Sequence, residues 1–319
     1  MNQPNNPLQL PWCSYPKANE IKEHGLLTLP NKLESANFDN AALYRSSRYK
    51  AKSMKNVEHS KLLDLANVLA VSFCINDPMN RYIKPSQVKP ESLLNLVHND
   101  FFGESTFGAW TNENIFYWFV RLLTLTNPND PLNEIGMNSD TLNLSLGIFD
   151  NDDKVIGGAI NMPIYPEESP FRENDSFLDA VLNHINPILG IIIPQEHESL
   201  EALQQKFPEI KKAKEQGKIG MHFLIARSPN LPKEDTFELV AASAENFKNQ
   251  GFEYMVITAT NQWTGAACEI LGATRVHFAP YRAEKMVAVE GTENENEPYS
   301  IDGFISDKDS GMAFYILKL

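Results

Sequence analysis

Two histidines stand on apolar stretches of the chain where an imidazole could do chemistry. His222 lies near the start of the run Ile219–Ala226, and His277 lies inside the run Thr274–Tyr281. Histidine titrates near neutrality, so either side chain is a candidate base. A single histidine on an apolar strand is more often a hydrogen-bonded packing residue, and this alternative stays open for both.

The three cysteines indicate neither a metal site nor a disulfide framework. Cys13, Cys74 and Cys268 are widely spaced, no pair has metal-ligand spacing, and their number is odd. The simplest interpretation is a reducing compartment. The chain also lacks a P-loop, a G-x-S-x-G motif, a dinucleotide fingerprint and a cluster of metal-ligating residues. We therefore expect no bound metal.

The charge balance argues against two classes of partner. Of 319 residues, 28 are Lys or Arg and 41 are Asp or Glu, which gives a formal net charge of −13. Binding to nucleic acid or to anionic lipid needs clustered positive charge, so we expect neither. The apolar runs Trp118–Leu125 and Ile188–Ile193 are much shorter than the roughly 20 residues of a membrane span. Met1–Pro11 lacks a signal-peptide pattern, and the expectation is a soluble cytoplasmic protein.

Periodicity and turn residues predict the elements that position these side chains. Residues 1–43 are broken by prolines and should form an irregular arm on a main domain, 44–319, which carries a helical insert at 166–218. Helices are predicted at Glu58–Cys74, Glu91–Phe102, Asn114–Leu125, Ser176–Asn186, Glu198–Glu215, Asp235–Gln250 and Thr264–Leu271. Strands are predicted at Ala41–Ser53, Leu142–Phe149, Val155–Met162, Ile219–Ala226, Phe252–Thr260, Thr274–Tyr281 and Met312–Leu319.

The order of these elements predicts the fold class. It is typical of a mixed α/β (α+β) fold with a largely antiparallel central sheet flanked by helices. Ile219–Ala226 and Phe252–Thr260 flank one helix, so a right-handed crossover should make them a parallel pair.

The segment Asn261–Ala273 carries a family resemblance. It reads Asn-Gln-Trp-Thr-Gly-Ala-Ala-Cys-Glu-Ile-Leu-Gly-Ala and resembles the GCN5-related N-acetyltransferase (GNAT) superfamily. Cys268 and Gly272 stand where that family commonly has Tyr and Gly. The hairpin at Leu142–Met162 looks like the family's second and third strands.

A narrower resemblance is to the arylalkylamine N-acetyltransferase-like branch. Phe73–Asn80 is similar to that branch's Phe…Asp-Glu-Pro-Leu-Asn segment, and the insert with Phe207-Pro208 stands where the branch has helices before its fourth strand. Thr264 falls where the branch carries a serine.

The resemblance implies transfer of an acyl group from acetyl-CoA or another acyl-CoA to a small amine. In the family, a splayed gap between the fourth and fifth strands holds the thioester, which places Met221–Arg227 on one wall and Thr258–Asn261 on the other. The implied cofactor-binding residues are Leu224, Ile225, Ala226, Arg227, Lys233, Thr236 and Asn261.

The resemblance also assigns catalytic roles, each with an alternative. Asp77 takes the position of the branch's glutamate base, although Asp-Pro after a helix is also an ordinary turn. His222 is the second candidate base. Cys268 replaces the usual tyrosine acid, since a thiol can protonate a thiolate, but free cysteine is usually a buried core residue. Thr264 would orient a water or the sulfur, or else pack and cap its helix.

The loop after Arg227 departs from the family's pattern. The family has Arg/Gln-x-x-Gly-x-Gly/Ala there, so that backbone N–H groups at a helix N-terminus reach the pyrophosphate. Here Pro232, Lys233 and Asp235 replace Arg, Gly and Gly, and Glu234 and Asp235 would repel phosphates. Two functions follow: an acyl-CoA-dependent N-acyltransferase, or a catalytically inactive GNAT-fold protein that serves as a binding or regulatory module.

Overall fold

The computed structural model describes residues 20–22, 25–42, 50–76, 139–164, 176–228, 231, 235–280 and 311–319. Its helices are α1 (Phe38–Ala42), α2 (His59–Asn76), α3 (Ser139–Leu144), α4 (Ser176–Lys206), α5 (Pro208–Glu215), α6 (Asp235–Asn249) and α7 (Gln262–Ile270). Its strands are β1 (Lys50–Ser53), β2 (Leu146–Phe149), β3 (Val155–Pro163), β4 (Ile219–Arg227), β5 (Tyr254–Ala259), β6 (Thr274–Pro280) and β7 (Gly311–Lys318). The helices predicted at Glu91–Phe102 and Asn114–Leu125 lie outside the described residues.

The strands form one seven-stranded sheet in the order β1-β2-β3-β4-β5-β7-β6. Every neighbouring pair is antiparallel except β4 and β5, which are parallel and connected through α6. The predicted fold class and the predicted parallel pair are therefore confirmed.

Three predicted elements differ in the structure. The insert is not two helices separated by Ile188–Ile193, because α4 runs from Ser176 to Lys206 through Pro187 and Pro194. A proline removes one helical hydrogen bond, but the residues on either side of it remain helical. The helix ends instead at Phe207-Pro208.

The other two differences concern predicted strands. The strand predicted at Ala41–Ser53 is reduced to β1, because α1 occupies its beginning. The strand predicted at Leu142–Phe149 begins only at Leu146, because Ser139–Leu144 is helical. Short apolar runs fit a buried helix as well as a strand, and periodicity alone does not separate the two.

The two faces of the sheet are covered by different helices. On β5, Met255, Ile257 and Ala259 pack in a core with α6 and α7. Tyr254 and Val256 point to the other face and pack in a core with α4 and α5. This alternation is the period of two expected of a strand buried on both faces. A side chain's position along β4 or β5 therefore decides which helices it meets.

A segment near the N-terminus lies on the β6 end of the sheet. Leu27 donates its N–H to the carbonyl of Val276 at 2.9 Å. Leu27, Leu29 and Leu33 are buried in the two cores. None of the helices in the described parts of the chain has the length and hydropathy of a membrane span.

Gly220 sets how closely α6 approaches β4. A Cβ at this position would lie 2.2 and 2.4 Å from two ring carbons of Phe247 on α6. We expect Gly220→Ala to lower the free energy of unfolding by about 1–3 kcal/mol, because the added methyl overpacks this contact. Urea unfolding of Gly220→Ala, Phe247→Leu and the double variant checks this. The double variant should be more stable than the sum of the single effects predicts, whereas strict additivity would contradict the contact.

Candidate active site

The parallel ladder between β4 and β5 stops while both strands continue. It contains four pairs, from Ile219 with Tyr254 to His222 with Ile257. β4 then runs on to Arg227, and its pairing with β3 continues to the end. Within the described part of the chain, residues 224–226 thus have a strand partner on one edge only. The backbone N–H and C=O groups of the other edge are ready to bind an extended molecule.

A bulge on β4 coincides with the point of divergence. Ile160 on β3 pairs with Leu224, and its neighbour Asn161 pairs with His222, so Phe223 is an extra residue on β4. A bulge of this kind bends the strand and increases its twist. β4 therefore turns away from β5 one residue after the last pair.

His222 is held by a buried hydrogen-bond network on the α6 face. Its Nδ1 lies 2.7 Å from Oδ1 of Asn161. Asn161 already donates both amide hydrogens, one to the carbonyl of Leu144 and one to Oγ of Ser243. Its oxygen must therefore accept from His222, which fixes the proton of the imidazole on Nδ1.

The electrostatics of His222 follow from its burial. The side chain is 3% exposed, and Nε2 has no hydrogen-bond partner among the described residues. Burial lowers the pKa of His222 to about 3. The imidazole is therefore neutral near pH 7, with a bare lone pair on Nε2, but its affinity for a proton is weak.

A carboxyl that the sequence analysis missed lies on the opposite face of the sheet at the same level. Glu196 on α4 accepts a hydrogen bond at 2.5 Å from Oγ1 of Thr258. Thr258 is the first residue of β5 beyond the last pair with β4. Burial raises the pKa of Glu196 to about 7, and the hydrogen bond from Thr258 acts in the opposite direction. A carboxyl that titrates near neutrality at a gap in a sheet is suited to general base chemistry.

The sequence did contain a signal for Glu196. It lies four residues before Leu200 and seven before Leu203, both of which are buried, so it continues an apolar helical stripe. A carboxylate on such a stripe is unusual because burial of its charge is unfavourable. The signal was missed because the predicted helix began at Glu198, so Glu196 fell two residues outside it.

The Asn261–Ala273 segment forms α7 together with the residues that begin and end this helix. Asn261 is the N-cap, and its Oδ1 accepts from the N–H groups of Trp263 and Thr264 at 3.1 and 3.0 Å. The hydroxyl of Thr264 donates to the same oxygen at 3.2 Å. Gly272 follows the helix with φ of +85°, a conformation that favours glycine. Their predicted roles in cofactor binding and catalysis remain predictions, beside a capping role that is directly visible.

Cys268 is enclosed in the core between α7 and the sheet. Its side chain is 0% exposed. Burial, with a further contribution from the charge of Glu269, raises the pKa of the thiol well above its usual value. The side chain is thus a neutral thiol, and its role as the acid remains a prediction.

The loop between β4 and α6 is only partly described. Arg227 donates Nη1 to the carbonyls of Ser228 and Leu231, so its guanidinium closes the loop. Thr236 is buried in the first turn of α6. Lys233 and Glu234, with the predicted base Asp77, lie outside the described residues. No group of three or more metal-ligating side chains occurs in the part of the chain that the structure describes.

Solved structures with a similar fold include N-acetyltransferases. The arylalkylamine N-acetyltransferase 2 of Aedes aegypti is 14% identical over 85% of this chain and 98% of its own, with a TM-score of 0.49. The C-terminal condensation domain of Ebony, solved with β-alanyl-dopamine, is 11% identical over 85% of this chain and 99% of its own, with a TM-score of 0.47. A GNAT-family acetyltransferase from Bacillus anthracis is 8% identical over 86% of this chain and 96% of its own, with a TM-score of 0.36. No family model and no curated protein matches the chain.

Proposed function

We propose that this protein is an N-acyltransferase that moves an acyl group from a thioester such as acetyl-CoA to a small amine, in the gap between β4 and β5. The observation that carries the proposal is the end of the parallel ladder at His222 and Ile257, beyond which β4 continues for five residues to Arg227. An open parallel edge inside a sheet gives an extended thioester arm backbone donors and acceptors on both sides.

The chemistry requires a polarised carbonyl and a deprotonated amine. In the proposal, the free edge of Leu224, Ile225 and Ala226 pairs with the arm of the thioester, and a backbone N–H of this edge donates to the thioester oxygen. A fixed donor placed where negative charge develops lowers the barrier. The sheet holds this donor rigidly, since β3 pairs with the other edge of the same residues.

The nucleotide end of the donor should contribute little to binding. Arg227 donates to loop carbonyls, two prolines in the loop lack N–H donors, and α6 begins with Asp235. We therefore expect S-acetylpantetheine, which lacks the nucleotide, to bind within about tenfold of acetyl-CoA, a difference of less than about 1.4 kcal/mol. Isothermal titration of both compounds measures this. Binding of acetyl-CoA that is 1,000-fold tighter would show that the loop recognises the pyrophosphate.

The second candidate function is a binding module without turnover. The use of Arg227 within its own loop and the enclosure of Cys268 in the core favour it. Such a protein would keep the thioester gap and lose the transfer step.

One experiment separates the two functions. Thermal unfolding is followed with acetyl-CoA, longer acyl-CoAs and S-acetylpantetheine at millimolar concentration, and a panel of primary amines is then screened for acylated product by mass spectrometry. If the protein is an acyltransferase, the thioester raises its melting temperature, since a ligand that binds only the native state stabilises that state. Acylated product is then also formed. A binding module gives the temperature shift without product, and no shift with any thioester would contradict the gap as a thioester site.

A further inference from the structure

One face of α4 carries unpaired oxygens beside Glu196. The Oε1 of Gln195 and the Oγ of Ser199 are buried and have no hydrogen-bond partner among the described residues. Ser199 is 0% exposed. It follows Gln195 by four residues and Glu196 by three, and residues at these spacings are neighbours on a helix surface. Buried oxygens without a partner are rare in folded proteins, and each points to a donor that completes it.

The three side chains match the hydrogen bonds of one kind of group. The amide oxygen of Gln195 and an ionised Glu196 only accept hydrogen bonds, and the hydroxyl of Ser199 can also accept. A primary ammonium presents up to three N–H donors and one positive charge. The carboxylate supplies the opposite charge, and the other two oxygens take the remaining donors.

This face of α4 meets the sheet at the proposed site of transfer. The hydrogen bond between Glu196 and Thr258 places the carboxyl at the first β5 residue past the ladder. The opposite wall of the gap is β4 at the bulged residue Phe223. An amine bound by Glu196 therefore lies next to the strand edge that the thioester would occupy.

We propose that the α4 face formed by Gln195, Glu196 and Ser199 binds the acceptor amine as its ammonium ion and that Glu196 accepts the proton that the amine must lose. This inference rests on the proposed function and names its acceptor class, a cationic primary amine. It also assigns a catalytic residue, Glu196, and a positioning residue, Thr258, whose hydroxyl holds the carboxyl.

The proposed step balances as follows. The ammonium gives one proton to Glu196, and the freed nitrogen lone pair forms the C–N bond with the thioester carbonyl carbon. The C–S bond breaks, and the thiolate leaves with its electron pair. The thiolate takes the second proton that the nitrogen loses, which yields an amide and a thiol. Glu196 finally releases its proton to water.

The surroundings of Glu196 support a proton acceptor that works near neutrality. Burial raises the pKa of Glu196 to about 7, against the hydrogen bond from the Thr258 hydroxyl, which lowers it. The titratable groups on elements packed against this part of α4 include His277 on β6, which lies 3.7 Å from Glu198, and Tyr254 on β5. His222 lies under α6 on the other face of the sheet, and its neutral imidazole takes a second proton only at much lower pH.

The test compares Glu196→Gln with a matched control, Glu201→Gln, which changes an exposed carboxyl on the same helix. Glutamine keeps an oxygen for Thr258 and cannot take a proton. With acetyl-CoA and 2-phenylethylamine or 1,4-diaminobutane, we expect Glu196→Gln to lower kcat/KM at pH 7 by about 100-fold or more. Glu201→Gln should stay within about twofold of the wild type.

The pH profile distinguishes catalysis from structure. In the wild type, kcat/KM should rise with pH through an apparent pKa near 7, and Glu196→Gln should lack this rise. Thr258→Val removes the hydrogen bond that favours the charged carboxyl, so the rise should move to higher pH, and Thr258→Ser should restore it. Ser199→Ala should raise the KM for the amine and leave the KM for the thioester unchanged.

The outcomes separate this inference from the proposed function. If the wild type acylates amines and Glu196→Gln keeps its rate and its pH profile, the inference is overturned and the acyltransferase stands. If the wild type binds thioesters and acylates none of the amines, both are overturned. A wild-type rate that depends on Glu196 together with unchanged amine KM in Ser199→Ala would confine the amine site to Glu196 alone and overturn the three-oxygen site.

Discussion

Glu196→Gln should be more stable than the wild type at pH 8 by about 2–3 kcal/mol and equally stable near pH 4.5. The pKa of Glu196 is about 7 in the folded protein, against an ordinary value of 4.5. A carboxyl with a raised folded pKa stabilises the fold fully below the unfolded pKa, and this stabilisation is lost as pH rises through the folded pKa. The loss in the wild type is roughly 1.4 kcal/mol for each pH unit between the two values. Glutamine resembles the protonated acid at every pH, so Glu196→Gln does not lose this stability as the pH rises.

Urea unfolding at pH 4.5, 6 and 8 measures this difference. The control Glu201→Gln should stay within about 0.5 kcal/mol of the wild type at all three pH values, because its side chain is exposed. A wild type whose stability relative to Glu196→Gln does not fall between pH 4.5 and 8 would contradict a raised pKa of Glu196 in the folded protein. Together with the loss of activity, a gain in stability would mark a residue kept for function at the expense of the fold.

Asn161 and His222 should depend on each other for stability. Asn161→Leu leaves the buried Nδ1–H of His222 without an acceptor, and His222→Leu leaves the Oδ1 of Asn161 without its donor. Each single change should lower the free energy of unfolding by about 2–3 kcal/mol, because a buried polar group is left unpaired. The double variant should lose about 1–3 kcal/mol less than the sum, since both unpaired groups are gone.

The same variants test the tautomer of His222. Asn246 also donates to the carbonyl of Leu144, at 2.9 Å, so this oxygen keeps a partner when Asn161 is replaced. The coupling therefore reports chiefly on the pair of Asn161 and His222. Additive effects of the two single changes would mean that the network does not fix the imidazole.

The predictable part of the fold was the part in which local signals agree. β3, β4 and α6 begin and end within one residue of their predicted positions, because apolar runs are bounded there by polar turns and a glycine. The parallel pair followed from chain order and the handedness of crossovers. The α4 helix was divided wrongly because its prolines break the pattern and do not break the helix.

The candidate site was harder to predict, because it depends on contacts between distant parts of the chain. The divergence of β4 and β5 was implied by the family resemblance, but Glu196 and Thr258 are 62 residues apart and meet only in the folded protein. No local sequence pattern predicts that α4 contacts β5 at Thr258. The sequence signal of Glu196 was its place on an apolar helical stripe with Leu200 and Leu203. This stripe can be recognised only if the helix is predicted to continue through Pro194.

The most direct test of the central claim is hydrogen–deuterium exchange of the backbone amides with and without acetyl-CoA or S-acetylpantetheine. A thioester paired with the open edge of β4 should slow exchange at Leu224–Arg227 and at Thr258–Asn261, the two walls of the gap beyond the last ladder pair. Amides of β1 and β2, at the far end of the sheet, should exchange at the same rate in both samples. If exchange slows only in other parts of the chain, or does not slow at all at saturating thioester, the result would contradict an acyl-thioester site between β4 and β5.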